Sequence, residues 1–305
     1  MNFKGKDIIS MHDLTKKEII HILETARKLE KKPMPNLLKG RVLGTLFFEP
    51  STRTRLSFES AISRLGGKVL GFADDKMTSV RKGESLFDSI RVIQHYCDVI
   101  AIRHNLEGSA RLAAESSPNP VINGGDGANQ HPTQTLLDLY TIKKCQGRLT
   151  GLGVAMVGDL KYGRTVHSLA AALAHFNCRL YFVSPNSLKM PDYIKEHLEK
   201  HSIKFSEHRK VEEIIDDVDI LYSTRIQKER FVDATEYEKV KNAYILKKSM
   251  LSGVKPSFKI LHPLPRVNEI SIDVDSTPYA QYFEQSGNGV PVRMAVLALV
   301  LGGLK

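Results

Sequence analysis

Two arginines stand among hydroxyls in Ser51-Thr52-Arg53-Thr54-Arg55, directly after the apolar run Val42–Phe48 and the pair Glu49-Pro50. Residues of these types at this spacing can bind a phosphate. If a helix begins at Ser51 or Thr52, its free first-turn N–H groups and the positive end of its macrodipole face whatever sits there. The hydroxyls of Ser51, Thr52 and Thr54 add donors, and Arg53 can grip two anionic oxygens at once. The same residues also read as a helix N-cap with two solvated arginines. By itself the stretch leaves both readings open.

Further polar groups follow other apolar runs. Arg103-His104 follows 98–102. Asn123-Gly124-Gly125-Asp126 leads on to His131-Pro132-Thr133-Gln134, with glycines that allow a tight turn and a helix that would carry His131 and Gln134 near its first turn. Gly158-Asp159-Leu160-Lys161-Tyr162-Gly163-Arg164-Thr165 follows 153–157, and Ser223-Thr224-Arg225-Ile226-Gln227 follows 218–222. His262-Pro263-Leu264-Pro265-Arg266 closes the series, where two prolines remove donors and leave carbonyls to accept, for instance from an NH₂ group. A basic flexible loop is expected at 76–85. Each stretch has a bland explanation alone. Together, Arg53, Arg103, Arg164 and Arg225 at four strand ends predict one cleft built for several negative charges. At an effective dielectric of about 20, each close charge pair is worth roughly 4 kcal/mol before desolvation.

Strands must carry these residues. The runs 42–48, 68–72, 98–102, 120–122, 153–157, 179–183, 218–222 and 258–261 are short and apolar, and helical patterns at 51–65, 84–97, 131–145 and 164–176 lie between them. That alternation predicts α/β folding with doubly wound parallel sheets covered on both faces, and in such sheets ligands bind beyond the carboxyl ends of the strands. Thr15-Lys16-Lys17-Glu18 reads as a capping box before Ile19, Ile20, Leu23, Ala26 and Leu29. A domain boundary is expected around Gln146–Gly151. The apolar helix expected at 292–304 is short enough to pack back on the first domain.

The 305 residues suggest two domains, and 42% hydrophobic with 26% charged residues suits a globular chain. The N-terminus has no long apolar run, so neither a secretory signal nor a membrane span is expected. Cys97, Cys145 and Cys178 are widely spaced without CxxC, which fits reduced thiols in the cytoplasm and argues against a disulfide framework or zinc site. The net charge of +10 fits nucleic acid or small anions. Trp is absent and the arginines sit at strand ends, which disfavours a nucleic-acid module. A dinucleotide-dependent oxidoreductase would account for 153–165 only, and that stretch lacks GxGxxG.

Ser51-Thr52-Arg53-Thr54-Arg55, His131-Pro132-Thr133-Gln134 and His262-Pro263-Leu264-Pro265 resemble the signature set of the aspartate/ornithine carbamoyltransferase superfamily. Over nearly its full length the chain is similar to the catalytic chains of the aspartate carbamoyltransferase family. The resemblance implies a carbamoyl-phosphate-binding domain at 1–132 plus 288–305, with the C-terminal helix returning to it, and an aspartate-binding domain at 133–287. It implies carbamoyl transfer from carbamoyl phosphate to L-aspartate, the committed step toward pyrimidines, in homotrimers with shared sites and with no metal or organic cofactor. Ser51, Thr52, Arg53 and Thr54 would bind the phosphate. Arg103, His131 and Thr54 would donate to the carbamoyl oxygen, and Gln134 with the Pro263 and Leu264 carbonyls, beside Pro265, would hold the carbamoyl NH₂. Arg164, Thr165, Arg225 and Gln227 would orient aspartate. Ser79 and Lys82 match the loop lent by the adjacent subunit. Arg53, Thr54, Lys82, Arg103 and His131 form the implied catalytic set. The ornithine enzymes share the phosphate motif but resemble HCLP, with a cysteine, where this chain has His262-Pro263-Leu264-Pro265, and Arg225 would serve a cationic amino acid badly. Regulatory chains or a dihydroorotase are possible partners of the trimer, while nucleic acid and membrane are not expected.

Overall fold

A computed structural model describes residues 1–74, 78–227, 231 and 233–304. The chain divides into two compact units, 1–137 with 287–305, and 138–286. The first division falls inside a helix (α5, Pro132–Gln146), ahead of the boundary expected around Gln146–Gly151. A continuous helix crosses the boundary, and no break in composition can announce it.

The first unit holds a parallel sheet of β1 (Val42–Phe47), β2 (Lys68–Phe72), β3 (Val99–His104) and β4 (Val121–Asp126), in the order β2-β1-β3-β4. Parallel strands need long crossovers, which here are mostly helical. These include α2 (Thr52–Arg64), α3 (Leu86–Ile93) and α4 (Ser109–Ser116). Leu43, Leu46 and Phe47 of β1 are fully buried, as a central strand covered on both faces requires. α1 (Lys16–Lys31) buries Ile19, Ile22, Leu23, Ala26 and Leu29, one apolar stripe at helical spacing, and packs against α10 (Gly289–Val300). Burying each large aliphatic side chain stabilises by about 1.5–3 kcal/mol. α10 starts earlier than the expected 292 and returns to this unit, where it also packs on α2.

The second unit holds β5 (Gly153–Val157), β6 (Arg179–Val183), β7 (Phe205–His208), β8 (Ile220–Ser223) and β9 (Lys259–Leu261), all parallel, in the order β7-β6-β5-β8-β9. α6 (Arg164–Ala174), α7 (Asp192–Lys200), α8 (Ala234–Val240) and α9 (Tyr282–Gly287) complete it. Its core gathers Ala155, Val157, Tyr181, Leu221, Phe258 and Ile260. Among the described residues no helix is long and apolar enough to cross a membrane.

Two expected loops are strand. Arg103 and His104 lie inside β3, and Asn123–Asp126 lie inside β4. Between Ile102 and His104 the register slips, so that one residue of β3 faces Gly124 and Gly125 of β4. Gly125 takes φ 120, and a Cβ on Gly124 would sit 3.1 Å from the Ile102 carbonyl oxygen. Glycine is what allows the bulge, and bulges re-aim the side chain opposite them. That side chain is Arg103.

In each sheet the order of strands reverses between two neighbours that share a crevice at their carboxyl ends. These are β1 and β3 in the first unit, and β5 and β8 in the second. Ligands of open α/β sheets bind at such points.

Candidate active site

At the first switch point, β1 runs through Phe48-Glu49-Pro50 into α2. Ser51 is the N-cap, with an extended backbone (φ −156, ψ 109), yet its side chain makes no capping bond and the first turn carries no acid. No side-chain cap or first-turn acid therefore offsets the macrodipole and the early N–H groups of α2, the local chemistry of an anion site. Thr52 and Arg53 are exposed, Ser51 is half-buried and Thr54 is buried. Arg55 turns away to the flank of the helix, 3.7 Å from Glu59.

Three expected residues come together behind that turn. Thr54 Oγ1 lies 3.4 Å from His131 Nε2. Arg103 donates to the Gly124 carbonyl at 3.3 Å and pairs with Glu49 at 3.1 Å. A side chain on Gly124 would be 3.6 Å from the Thr54 methyl, so the bulge and the helix start are neighbours. Burial pulls the Arg103 guanidinium below its ordinary value, and the Glu49 carboxylate pulls it back up. Arg103 stays a cation at neutral pH.

A buried acid, Asp126, ties together the loop that leads to His131. Asp126 accepts from Asn123 Nδ2 at 2.9 Å, Gly108 N at 3.1 Å, Asn129 Nδ2 at 3.0 Å and Gln130 N at 3.0 Å. The His131 carbonyl in turn accepts from Gln134 N at 2.9 Å, which opens α5. Thr133 accepts from Arg293 at 3.2 Å, a buried cation of α10 whose guanidinium lies 4.9 Å over the Phe58 ring. Ser79 and Lys82 are exposed in a short 3₁₀ turn after the edge strand β2. Lys76 and Met77, the start of the expected basic loop, lie outside the described residues.

The second switch point repeats the plan. Gly158 directly follows β5 at φ 117, and a Cβ there would be 2.2 Å from the Thr224 carbonyl oxygen. Thr224 N donates to the Val157 carbonyl at 2.8 Å, so the loops after β5 and β8 are tied together. α6 then starts at Arg164 on a Gly163 N-cap, again with no side-chain cap and no acid in its first turn. Arg164, Thr165, Arg225 and Gln227 are all half-buried at these two loops. A small hollow of about 40 Å³ is lined by Gly158, Thr224, Arg225, Lys241, Asn268 and Glu269, among others.

After β9, Pro263, Leu264 and Pro265 form the loop His262–Arg266, with Leu264 in the left-handed region at φ 55 and a cis peptide bond from Leu264 to Pro265. The motifs do not point to the acids of these sites: Glu49, Asp126 and Glu269. Each stands among apolar, glycine or amide neighbours, and no local pattern marks it for a site.

Two family models cover the chain. The carbamoyl-P binding domain of aspartate/ornithine carbamoyltransferase matches residues 6–144, and its Asp/Orn binding domain matches residues 150–300. The chain belongs to the aspartate/ornithine carbamoyltransferase family. Among its relatives, aspartate carbamoyltransferase catalytic subunit 2 of Shewanella halifaxensis is 59% identical over 298 residues, 97% of this chain and 96% of its own. The catalytic subunit of M. jannaschii aspartate transcarbamoylase superposes with a TM-score of 0.91 at 56% identity, over 97% of this chain and 98% of that one. The Trypanosoma cruzi aspartate transcarbamoylase in complex with carbamoyl phosphate and aspartate superposes with a TM-score of 0.92 at 38% identity, over 98% of both. Within this carbamoyltransferase, the two open helix starts and the bulged Arg103 are the features that the two parallel sheets present at their switch points.

Proposed function

We propose that this enzyme transfers the carbamoyl group of carbamoyl phosphate to the α-amine of L-aspartate, giving N-carbamoyl-L-aspartate and phosphate, the committed step toward pyrimidines. The observation that carries the reading is the uncapped, acid-free start of α2 beside the Thr54–His131 contact and the bulged Arg103. Phosphate sits on the α2 N-terminus, held by Ser51, Thr52, Arg53 and Thr54. Thr54, Arg103 and His131 donate to the carbamoyl oxygen, which gains negative charge as the amine attacks. Donors already in place at the start lower that barrier, as in an oxyanion hole. Gln134 and the carbonyls of Pro263 and Leu264, with Pro265 fixing the loop, hold the carbamoyl NH₂.

The second switch point takes the amino acid. Arg164, Thr165, Arg225 and Gln227 orient the two carboxylates of aspartate. A second anionic carboxylate suits the Arg164 and Arg225 guanidinium groups better than the ammonium of ornithine does. No nucleophile of the protein is needed: the amine attacks the carbonyl directly and phosphate leaves from a tetrahedral intermediate. Orientation and charge stabilisation supply most of the acceleration. Residues 1–132 with 288–305 serve as the carbamoyl-phosphate domain, and 133–287 as the aspartate domain.

Ser79 and Lys82 complete the site of a neighbouring copy in a homotrimer. Exposed apolar groups close to their turn, Phe87, Val92 and Tyr96, support a subunit interface in this region. The three unbridged cysteines fit the cytoplasm.

The test is direct. The protein is incubated with carbamoyl phosphate and either aspartate or ornithine, and the carbamoylated product is measured. Carbamoyl-aspartate is the expected product, and carbamoyl-ornithine as the main product would overturn the assignment.

A further inference from the structure

In the second unit, one buried pair organises the whole loop after β9. His262 is 1% exposed and its two ring nitrogens face in opposite chemical senses. Nδ1 accepts from the Leu264 N–H at 2.8 Å, and Nε2 lies 2.7 Å from Glu269 Oε1. An amide can only donate, so Nδ1 must be bare and Nε2 must carry the proton. The other Glu269 oxygen accepts from Val267 N at 3.0 Å and Asn268 N at 3.1 Å. From the far side, His262 N donates to Gln285 at 2.8 Å, Gln285 donates to Asp138 at 2.7 Å, and Tyr222 donates to the same carboxylate at 2.9 Å.

The amides of Leu264, Val267 and Asn268 are thus drawn inward to one His–Glu pair, while Pro263 and Pro265 have no N–H at all. What the loop can offer outward is acceptors. Leu264 sits at φ 55, a region a leucine avoids unless something holds it there, and its N–H is the one bound by His262. Burial would raise the Glu269 pKa, but the bonds from His262 and the backbone N–H groups outweigh it and keep the carboxyl below its ordinary value of 4.5.

We propose that Glu269 is a positioning residue: it locks His262 as the Nε2–H tautomer, and His262 in turn fixes Leu264 so that the Pro263 and Leu264 carbonyls face the carbamoyl NH₂. The proposal rests on the reading of that loop given under Proposed function. It assigns Glu269 to discrimination of NH₂ from other groups, not to affinity for phosphate.

Glu269→Gln breaks the pattern in either orientation. With its carbonyl oxygen toward His262, the new NH₂ opposes the Val267 and Asn268 donors. Turned round, its NH₂ forces the proton onto Nδ1, against the Leu264 N–H.

The experiment is calorimetric binding of carbamoyl phosphate, acetyl phosphate and inorganic phosphate to the whole enzyme, without aspartate. Acetyl phosphate carries a methyl where the carbamoyl group has NH₂. The native enzyme is expected to prefer carbamoyl over acetyl phosphate by roughly tenfold or more, since the methyl leaves two acceptors unpaired. Glu269→Gln is expected to lose most of that preference while its affinity for inorganic phosphate stays unchanged. A variant that keeps the native preference overturns the proposal. A native enzyme that binds both acyl phosphates equally overturns the reading of the loop itself. Should Glu269→Gln fail to fold, His262→Asn and His262→Leu decide. Asn can accept the Leu264 N–H as an Asx turn does and Leu cannot. A preference kept by Asn and lost by Leu supports the proposal, and the same result in both overturns it.

Discussion

The first turns of α1 and α2 draw on similar residue types and are finished in opposite ways. At α1, Thr15 accepts from Glu18 N and the Glu18 carboxylate returns to Thr15 N at 2.8 Å, a closed capping box. α3 is closed likewise, with Ser85 accepting from Asp88 N at 3.1 Å. At α2 the N-cap is again a hydroxyl residue, but an arginine and a threonine stand where an acid would close the turn. A capped helix start has spent its donors and its dipole internally. An uncapped one gives up about 1 kcal/mol of stability and keeps both for a ligand. The difference separates helices closed at their start from the helix whose start is proposed to bind phosphate.

The largest break in that contrast is Arg53→Ala. The residue is exposed, so the fold should survive with an unchanged melting temperature. Loss of a charge-assisted donor to the phosphate should lower kcat/KM by about a hundredfold to a thousandfold. A variant that unfolds would give Arg53 a structural role instead. Next in size is Thr52→Glu, which puts an acid on the open first turn and makes α2 resemble α1. Helix stability should rise by about 0.5 kcal/mol while affinity for inorganic phosphate falls about tenfold or more. Opposite signs in a melting curve and a titration are the signature sought. The mirror change, Thr15→Ala, opens α1. It should cost about 1 kcal/mol, read as a fall in denaturation midpoint, with kcat and KM unaltered.

Such contrasts also set what was legible in the sequence. The strand runs and the capping box were readable because period and cap chemistry are local. So were the motif loops, since arginine directly beyond an apolar strand is conspicuous. β4 was read short because Asn123-Gly124-Gly125-Asp126 has the composition of a turn. Its glycines are instead demanded by the bulge and by Ile102 and Thr54 close by, a tertiary cause that no local pattern carries. β7 was missed for the converse reason: Phe205-Ser206-Glu207-His208 is a half-buried edge strand with no apolar run to mark it. The charge network at the sites was the least legible part. Glu49 with Arg103 and Glu269 with His262 pair only once bulge and loop are formed, and their spacing along the chain says nothing of it.

α6 sharpens the contrast by the smallest margin. It too starts open, yet its first turn is steadied from beneath by His167, whose Nε2 lies 2.7 Å from the Leu160 carbonyl and whose Nδ1 lies 3.2 Å from the Tyr193 hydroxyl. Burial pushes the His167 pKa below its ordinary 6.5, and the Leu160 carbonyl pulls it back only in part. In the unfolded chain the same imidazole titrates at its ordinary value. As pH falls through 6.5 toward the lower folded value, the unfolded state holds the extra proton, so the stability present above 6.5 is lost across that window. Melting curves at pH 7.5 and 5.5 should show a drop for the native enzyme and a smaller drop for His167→Gln, whose amide can still donate to Leu160 without titrating. Equal drops would place the acid sensitivity elsewhere and leave α6 held by its glycine turn alone.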